Sequence, residues 1–88
     1  MIILKKATAG TMESSDAYVE IKPDSEINIQ IESVVEKQFG EKIECAVREV
    51  LSECEVKAAS VRVVDRGALE CVIRARVETA INRGGGEA

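Results

Sequence analysis

The sequence predicts an α+β fold: a small two-layer domain in which an antiparallel sheet is covered on one face by a central amphipathic helix. Three observations lead to this prediction. Residues 17–22 and 27–31 alternate apolar and polar side chains, as half-buried strands do. Apolar residues between Ile43 and Cys54 recur with the helical period. The length of 88 residues suits a single small core.

The two alternating segments predict neighbouring strands. Ala17, Val19 and Ile21 share one face of the first strand, and the isoleucines of residues 27–31 share one face of the second. A polar segment that contains the single proline separates them, so an antiparallel hairpin is expected. Upstream, the polar residues 13–16 predict an exposed loop.

The central segment predicts one amphipathic helix. Its apolar stripe has the spacing i, i+3, i+4, i+7, i+8 and i+11, and it consists of Ile43, Ala46, Val47, Val50, Leu51 and Cys54. On the opposite face Glu44 precedes Arg48 by four residues, the order that favours an exposed ion pair. The stripe is therefore expected to cover the sheet while the charged face stays in water.

Residues 61–77 predict a second hairpin. The sequence Asp65-Arg66-Gly67 is typical of a tight turn, because glycine tolerates a positive φ. If the following segment were a helix, Arg76 would lie about 20° from Leu69, inside the apolar arc, at 100° per residue. Leu69, Cys71, Ile73, Ala75 and Val77 would share one face of a strand, although the Ala, Arg, Leu and Glu content of the segment also suits a helix. The cost of burying the Arg76 charge favours the strand, which can end in a helical turn.

Composition excludes several classes of function. The chain has 12 basic and 16 acidic residues and a net charge of −4, so it lacks the basic surface that a nucleic-acid partner requires. It contains no histidine, which excludes Ser-His-Asp and Cys-His catalytic groups within the chain. A domain of 88 residues also buries too little surface for a deep catalytic cleft. No catalytic residue is assigned, and the chain is not expected to be an enzyme on its own.

Cysteine usage and hydropathy predict a cytoplasmic protein. Cys45, Cys54 and Cys71 are odd in number and lack C-x-x-C spacing, so neither a disulfide framework nor a metal site is expected. No segment is long and apolar enough for a secretory signal or a membrane span. Residues 1–82 are predicted to form one domain, and residues 83–88, with their consecutive glycines, a flexible tail.

Ser14 and Ser15 are the hydroxyls best placed for chemistry. They lie in the predicted loop between Glu13 and Asp16, where serine and aspartate are also common simply as turn residues. Without a neighbouring base, neither serine is an effective nucleophile. An exposed loop serine can nevertheless be the substrate of a modifying enzyme.

Three ordered blocks of the chain resemble the acyl carrier (gamma chain) family of citrate lyase. The blocks are Ala9-Gly10-Thr11-Met12-Glu13-Ser14-Ser15-Asp16, then Val35-Glu36-Lys37-Gln38-Phe39-Gly40, and finally Asp65-Arg66-Gly67-Ala68-Leu69-Glu70-Cys71 with Arg74-Ala75-Arg76-Val77-Glu78. Together they extend over nearly the whole chain. The isoleucine alternation at residues 27–31 demands a strand, so the fold is not expected to be the four-helix bundle of common fatty-acid carriers.

The resemblance implies that Ser14 is the covalent attachment site of a phosphoribosyl-dephospho-coenzyme A arm, held through a phosphodiester. The thiol of the arm would carry an acetyl group, which the alpha chain of the lyase exchanges for citryl. The beta chain would then release oxaloacetate and regenerate the acetyl thioester. A prosthetic-group transferase is a further expected partner. Glu13 and Asp16 would steer the loop to basic partner surfaces, if they are more than solubilising turn residues.

Two positions depart from the family pattern, and two alternative functions stay open. Met12 stands where leucine is usual, a change that conserves volume. Ser15 stands where glycine is frequent, so Ser14 is chosen by its position after Gly10-Thr11. The first alternative is the related acyl carrier subunit of malonate decarboxylase, against which the block at residues 35–40 argues. The second is an interaction module without a covalent group.

Overall fold

The structure, a computed structural model, describes residues 1–33 and 37–86 of the chain. Its elements in chain order are β1 (Ile2–Ile3), β2 (Ala7–Gly10), β3 (Ala17–Lys22), β4 (Ile27–Ser33), α1 (Lys37–Glu53), β5 (Ala59–Asp65), α2 (Glu70–Gly84) and β6 (Gly85–Gly86). The predicted α+β class is confirmed, and the fold is not a four-helix bundle.

The main sheet has four strands in the order β2-β3-β5-β4, and its pairing is mixed. β3 pairs antiparallel with β2 and with β5, whereas β4 pairs parallel with β5. The predicted antiparallel hairpin of β3 and β4 is therefore wrong, because β5 lies between them. The reason is α1: a helix that crosses over the sheet returns the chain parallel to the strand it left.

One face of this sheet is apolar, and both helices cover it. Alternate residues of β3 and β5 are fully buried there, namely Ala17, Val19, Ile21, Ala59, Val61 and Val63. α1 packs along β4 and α2 packs over β2 and β3. The predicted stripe of α1 is confirmed, since all its members are buried except Cys54, which is half-buried. Each large aliphatic side chain buried in this way contributes about 1.5–3 kcal/mol.

The opposite face of the sheet is polar and solvated. Glu20 on β3 pairs with Lys6 and with Arg62 on β5, both at 3.1 Å, and Arg62 reaches Glu32 on β4 at 3.2 Å. Charges of opposite sign thus alternate across adjacent strands, a modestly stabilising arrangement. Within the described ranges, neither helix is long and apolar enough to cross a membrane.

Residues 70–84 form α2, where the sequence predicted the second strand of a hairpin. Asp65-Arg66-Gly67 is a turn, as expected, and φ at Gly67 is +94°, but the turn leads from β5 into a helix. The buried residues of the helix are Ile73, Val77, Ala80, Ile81 and Gly84. Arg76 had argued against a helix, yet its side chain is 39% exposed and pairs with Asp16. Its charge is therefore neither fully buried nor unpaired, and the predicted cost does not arise.

Residues 83–86 pack against the beginning of the chain, where a flexible tail was expected. Arg83 donates a hydrogen bond to the Thr8 carbonyl at 2.9 Å. The Gly84 carbonyl accepts from the amides of Leu4 and Lys5 at 2.9 and 3.2 Å, and β6 pairs antiparallel with β1. The prediction of a flexible tail is thus corrected for these four residues. Residues 87–88, the rest of the predicted tail, lie outside the described part of the chain.

Candidate functional site

The loop of residues 11–16 joins β2 to β3 and carries both candidate serines. Gly10, at the end of β2, has a φ of +86°, and a Cβ at this position would collide with the Ala17 carbonyl oxygen. Only glycine permits this close approach. Ser15 also has a positive φ, of 68°, a backbone conformation that favours glycine. The chain therefore bends sharply on both sides of Ser14.

Asp16 closes this loop with its carboxylate. One oxygen, Oδ2, accepts hydrogen bonds from the Thr11 hydroxyl at 2.7 Å and from the Thr11 amide at 3.2 Å. The other, Oδ1, accepts from the Ala17 amide at 2.7 Å. The Thr11 hydroxyl itself accepts from the Glu13 amide at 3.2 Å. These bonds tie both ends of the loop to a single side chain.

Arg76 of α2 supplies the positive charge that faces Asp16. Its Nε donates to Oδ1 and its Nη2 to Oδ2, both at 3.1 Å, which is the bidentate geometry of a charge-assisted pair. The hydrogen bond from the Thr11 hydroxyl, then that from the Ala17 amide and that from Arg76, lower the pKa of Asp16 to about 2. This carboxylate is thus ionised and engaged within the chain, and the suggested steering of partners by Glu13 and Asp16 stays a prediction.

The turn after β5 supports the same loop through backbone hydrogen bonds. The Ser15 amide donates to the Arg66 carbonyl at 2.8 Å, and the Arg66 amide donates to the Asp16 carbonyl at 2.9 Å. Asp65 is buried and holds the turn in shape, since its Oδ1 accepts from the amides of Gly67 and Ala68 at 2.9 and 2.8 Å. The loop is thus braced by two elements that are distant in sequence.

Ser14 lies exposed on this braced loop. Among the described residues, none forms a hydrogen bond with its hydroxyl, whereas the residues on either side hold the loop in place. Nor does a base lie within hydrogen-bonding reach to activate it. The site can therefore present a hydroxyl for modification by another enzyme. Ser15 is exposed as well, so the choice between the two serines stays a prediction.

The cysteines are not part of this site. All three are free; Cys45 and Cys71 are exposed, and Cys54 is half-buried. Cys71 had been expected on the apolar face of a strand, and the helix places it in solvent instead. Burial and the nearby Glu78 and Glu53 carboxylates raise the pKa of Cys54. In the part of the chain that the structure describes, no three Cys, Asp or Glu side chains cluster as metal ligands would.

Sequence reasoning found the loop but missed two of its supports. Arg76 was noticed only as a charge inside an apolar arc, although such an arginine calls for a carboxylate partner, which the acidic loop supplies. The turn at residues 65–67 was recognised, but its contact with the loop is long-range and leaves no local pattern. Of the block at 35–40, residues 35 and 36 lie outside the described residues, and for residues 37–39 the structure describes only their place in α1.

Comparison with known proteins finds a matching family profile and named relatives that cover nearly the whole chain. The profile of a family described as "Malonate decarboxylase delta subunit (MdcD)" matches residues 4–84. A Haemophilus influenzae (strain PittEE) protein named "Citrate lyase acyl carrier protein" is 54% identical over 83 residues, which cover 94% of this chain and 87% of the relative. A Salmonella paratyphi A protein named "Citrate lyase acyl carrier protein 2" is 52% identical over 85 residues, which cover 94% of this chain and 88% of the relative.

A solved structure shares the fold. A chain in the crystal structure of a Pseudomonas malonate decarboxylase hetero-tetramer in complex with malonate superposes with a TM-score of 0.67. It is 20% identical in sequence, and the match covers 92% of this chain and 84% of that one. At this level of identity the likeness establishes the architecture alone.

Proposed function

Because the chain belongs to the family of citrate lyase acyl carrier proteins, we propose that it holds the acetyl and citryl thioesters of citrate lyase on a phosphoribosyl-dephospho-coenzyme A arm attached to Ser14. Family membership supports the role of acyl carrier. The structural observation that supports the attachment site is the exposed Ser14 hydroxyl on a loop braced from both sides, with no hydrogen bond to any residue in 1–33 or 37–86.

The residues around Ser14 fit the covalent attachment of a large group. Residues 11–15 are all exposed, which leaves a transferase free to approach. No hydrogen bond to a described residue has to break when the Ser14 hydroxyl is esterified. The bonds among Thr11, Asp16 and Arg76 use other atoms, so the loop keeps its shape when loaded.

The chain presents the acyl group and leaves the chemistry to other subunits. The arm supplies a thiol that holds the acyl group as a thioester. The carrier's own residues hold the serine-linked end of the arm at a fixed point, because the loop is tied to α2 and to the turn after β5. We propose that the alpha chain performs the acyl exchange, that the beta chain cleaves the citryl thioester, and that both reactions take place in the cytoplasm. A dedicated transferase loads Ser14.

Malonate decarboxylase is the second candidate complex. The matching family profile and the structural neighbour both carry its name. Against it stands sequence similarity, since the named citrate lyase carriers are 52–54% identical to this chain and the malonate decarboxylase chain is 20% identical. Reconstitution with each set of catalytic subunits discriminates between them: restored citrate cleavage supports the proposal, and restored malonate decarboxylation instead of citrate cleavage contradicts it.

Ser14→Ala and Ser15→Ala form a matched pair for testing the attachment site. Incubated with the transferase and its prosthetic-group precursor, wild type and Ser15→Ala are expected to gain the mass of the arm, and Ser14→Ala is expected to gain none. Both side chains are exposed, so both variants should keep the wild-type melting temperature. Loading of Ser14→Ala, or loss of loading in Ser15→Ala alone, would contradict the assignment.

An interaction module without a covalent group makes a different prediction. In that case the Ser14→Ala variant would support full citrate cleavage when assembled with the catalytic chains. We expect activity to fall to background in this assay, because Ser14→Ala removes the oxygen to which the arm is attached, and with the arm the thiol that forms the thioester.

A further inference from the structure

Arg66 differs from the other five arginines of the chain. Each of those five has an oxygen partner: the carboxylate of Glu44 for Arg48, those of Glu20 and Glu32 for Arg62, that of Glu49 for Arg74, that of Asp16 for Arg76 and the carbonyl of Thr8 for Arg83. Arg66 is exposed, and no described residue accepts a hydrogen bond from its guanidinium. A charged fork with five donors is thus left available beside the loop.

The position of Arg66 is set by its backbone. Its carbonyl accepts from the Ser15 amide at 2.8 Å, and its amide donates to the Asp16 carbonyl at 2.9 Å. The residue is therefore in direct contact with the neighbour of Ser14. Because these contacts involve main-chain atoms only, the Arg66 side chain can bind a ligand without breaking the hydrogen bonds that hold the loop.

The negative charges around Ser14 favour a cationic side chain beside the loop. Glu13 is exposed beside the serine, and the positive charge of Arg76 is already taken by Asp16. Under the proposed function, the phosphodiester that links the arm to Ser14 would add a negative charge next to Glu13, on a chain whose net charge is −4. Guanidinium binds phosphate oxygens in a bidentate fashion, which makes Arg66 the group suited to balance them.

We propose that Arg66 is the phosphate-binding residue of the carrier: its guanidinium contacts the phosphodiester that links the arm to Ser14 and holds this end of the arm against the turn after β5. This inference rests on the proposed function. The contact fixes the phosphate end of the arm and leaves the thiol end free to reach the catalytic subunits. Arg66 is a binding residue only and takes no part in acyl transfer.

Phosphorus NMR on the loaded carrier tests this contact. The samples are wild type, Arg66→Gln, Arg66→Lys and the control Arg48→Gln, each loaded at Ser14 and checked by intact mass. Arg48→Gln removes the same charge from an exposed site, but Arg48 lies near the turn before β5, at the opposite end of the sheet from the loop. It therefore separates the local contact from the effect of net charge.

In Arg66→Gln we expect the ³¹P resonances of the arm to shift and to lose most of their dependence on salt, because the ion contact is gone. Arg48→Gln should match wild type, and Arg66→Lys, which keeps the charge but not the fork, should lie between wild type and Arg66→Gln. Identical spectra for loaded wild type and Arg66→Gln would overturn the contact and leave the carrier function standing. If Arg66→Gln also raised the transferase KM while the spectra stayed identical, Arg66 would be a protein-docking residue instead.

Failure of the proposed function is visible in the same samples. If peptide mapping finds no added mass on Ser14 after complete incubation with the transferase, there is no phosphate for Arg66 to bind, and both proposals fall. The mass measurement thus reports on the carrier function, and the NMR comparison among loaded samples reports on Arg66.

Discussion

Asp16 determines the shape of the loop that carries Ser14. Its two oxygens accept hydrogen bonds from Thr11, from the Ala17 amide and from Arg76, so one side chain joins the two ends of the loop to α2. A carboxylate with several donors and a cation is stabilised in its charged form. The lowered pKa of Asp16, about 2, reflects that stabilisation.

Replacing Asp16 with asparagine should make stability depend on pH in a defined way. The folded-state pKa of about 2 lies below the ordinary value of 3.8, so ionised Asp16 stabilises the fold at every pH above 3.8. This contribution is lost as the pH falls from 3.8 through 2. At pH 6, Asp16→Asn should therefore melt below wild type, and the gap in melting temperature should shrink as the pH approaches 2.

Thermal unfolding of both proteins from pH 6 to pH 2 measures that gap. The pKa values of Glu20 and Asp24 are also lowered. The main cause is a hydrogen bond from Lys6 for Glu20 and a hydrogen bond from Asn28 for Asp24. Those groups titrate in both proteins and cancel in the difference. A gap that stays constant down to pH 2 would show that the Asp16 charge does not stabilise the fold.

α2 shows why a local pattern did not predict an element. The alternation of residues 69–77 fitted a strand, and Arg76 inside the apolar arc argued against a helix. That argument assumed that the charge would be buried alone, whereas Asp16 pairs with it across 60 positions of sequence. Such a partner becomes visible only after the chain has folded, so periodicity alone could not decide between helix and strand here.

β4 illustrates the same limit for strand pairing. Its alternation, and that of β3, predicted both strands, since period two records only which face is buried. The partner of each strand depends on the path of the chain between them. Because α1 crosses over the sheet, β5 enters between β3 and β4 and pairs with both. The predicted strands were therefore right, and the predicted hairpin was wrong.

Two helical glycines should respond oppositely to a methyl group. At Gly84 of α2, a Cβ would lie 2.9 Å from the Lys5 carbonyl oxygen and 3.2 Å from side-chain atoms of Ala7 and Ile21, so Gly84→Ala should destabilise the fold by about 1–3 kcal/mol. At Gly40 of α1, no atom of the described residues lies within 4 Å of the Cβ position, apart from its chain neighbours and the backbone of the helix itself. Gly40→Ala should stabilise the fold by about 0.5–1 kcal/mol, because alanine favours the helix.

Urea denaturation of the two glycine variants provides the measurement, with the free energy of unfolding compared at equal slope. The pair is matched, since each variant adds one methyl group to a helix. An unchanged free energy for Gly84→Ala would contradict the close packing of α2 against the segment between β1 and β2.

At the scale of the whole molecule, residues 83–86 join the end of the chain to its beginning. Arg83 bonds to Thr8, and the Gly84 carbonyl accepts from two amides of the segment that follows β1. The consecutive glycines predicted a tail because they lack side chains to bury. In the folded chain the same lack lets β6 lie close to Met1 and Leu4, where a side chain on Gly85 or Gly86 would collide.

Truncation after Asn82 should therefore weaken the fold. It removes the three backbone and side-chain hydrogen bonds described for residues 83–86 and the pairing of β6, each bond contributing about 0.5–1.5 kcal/mol. A chain that ends at Gly86 is the control. We expect the melting temperature of the shorter chain to be lower by several degrees. Equal melting temperatures would mean that residues 83–86 form a tail after all.

The sequence sufficed to locate the candidate site, because it lies in one continuous loop whose polar residues and glycine are local signals. The resemblance to the citrate lyase carriers then singled out Ser14. What holds the loop could not be predicted, since Arg76 and the turn after β5 reach it only through the tertiary fold. Arg66 is visible in the sequence, but only the folded structure shows that no described residue accepts a hydrogen bond from its guanidinium.

The identity and position of the covalent group are best tested on the protein isolated from its native host, grown on citrate without oxygen. Intact mass followed by peptide mapping across residues 11–22 measures both. We expect a gain equal to phosphoribosyl-dephospho-coenzyme A, located on Ser14. An unmodified chain from cells with active citrate lyase, or the same group found on Ser15, would contradict the proposed attachment at Ser14.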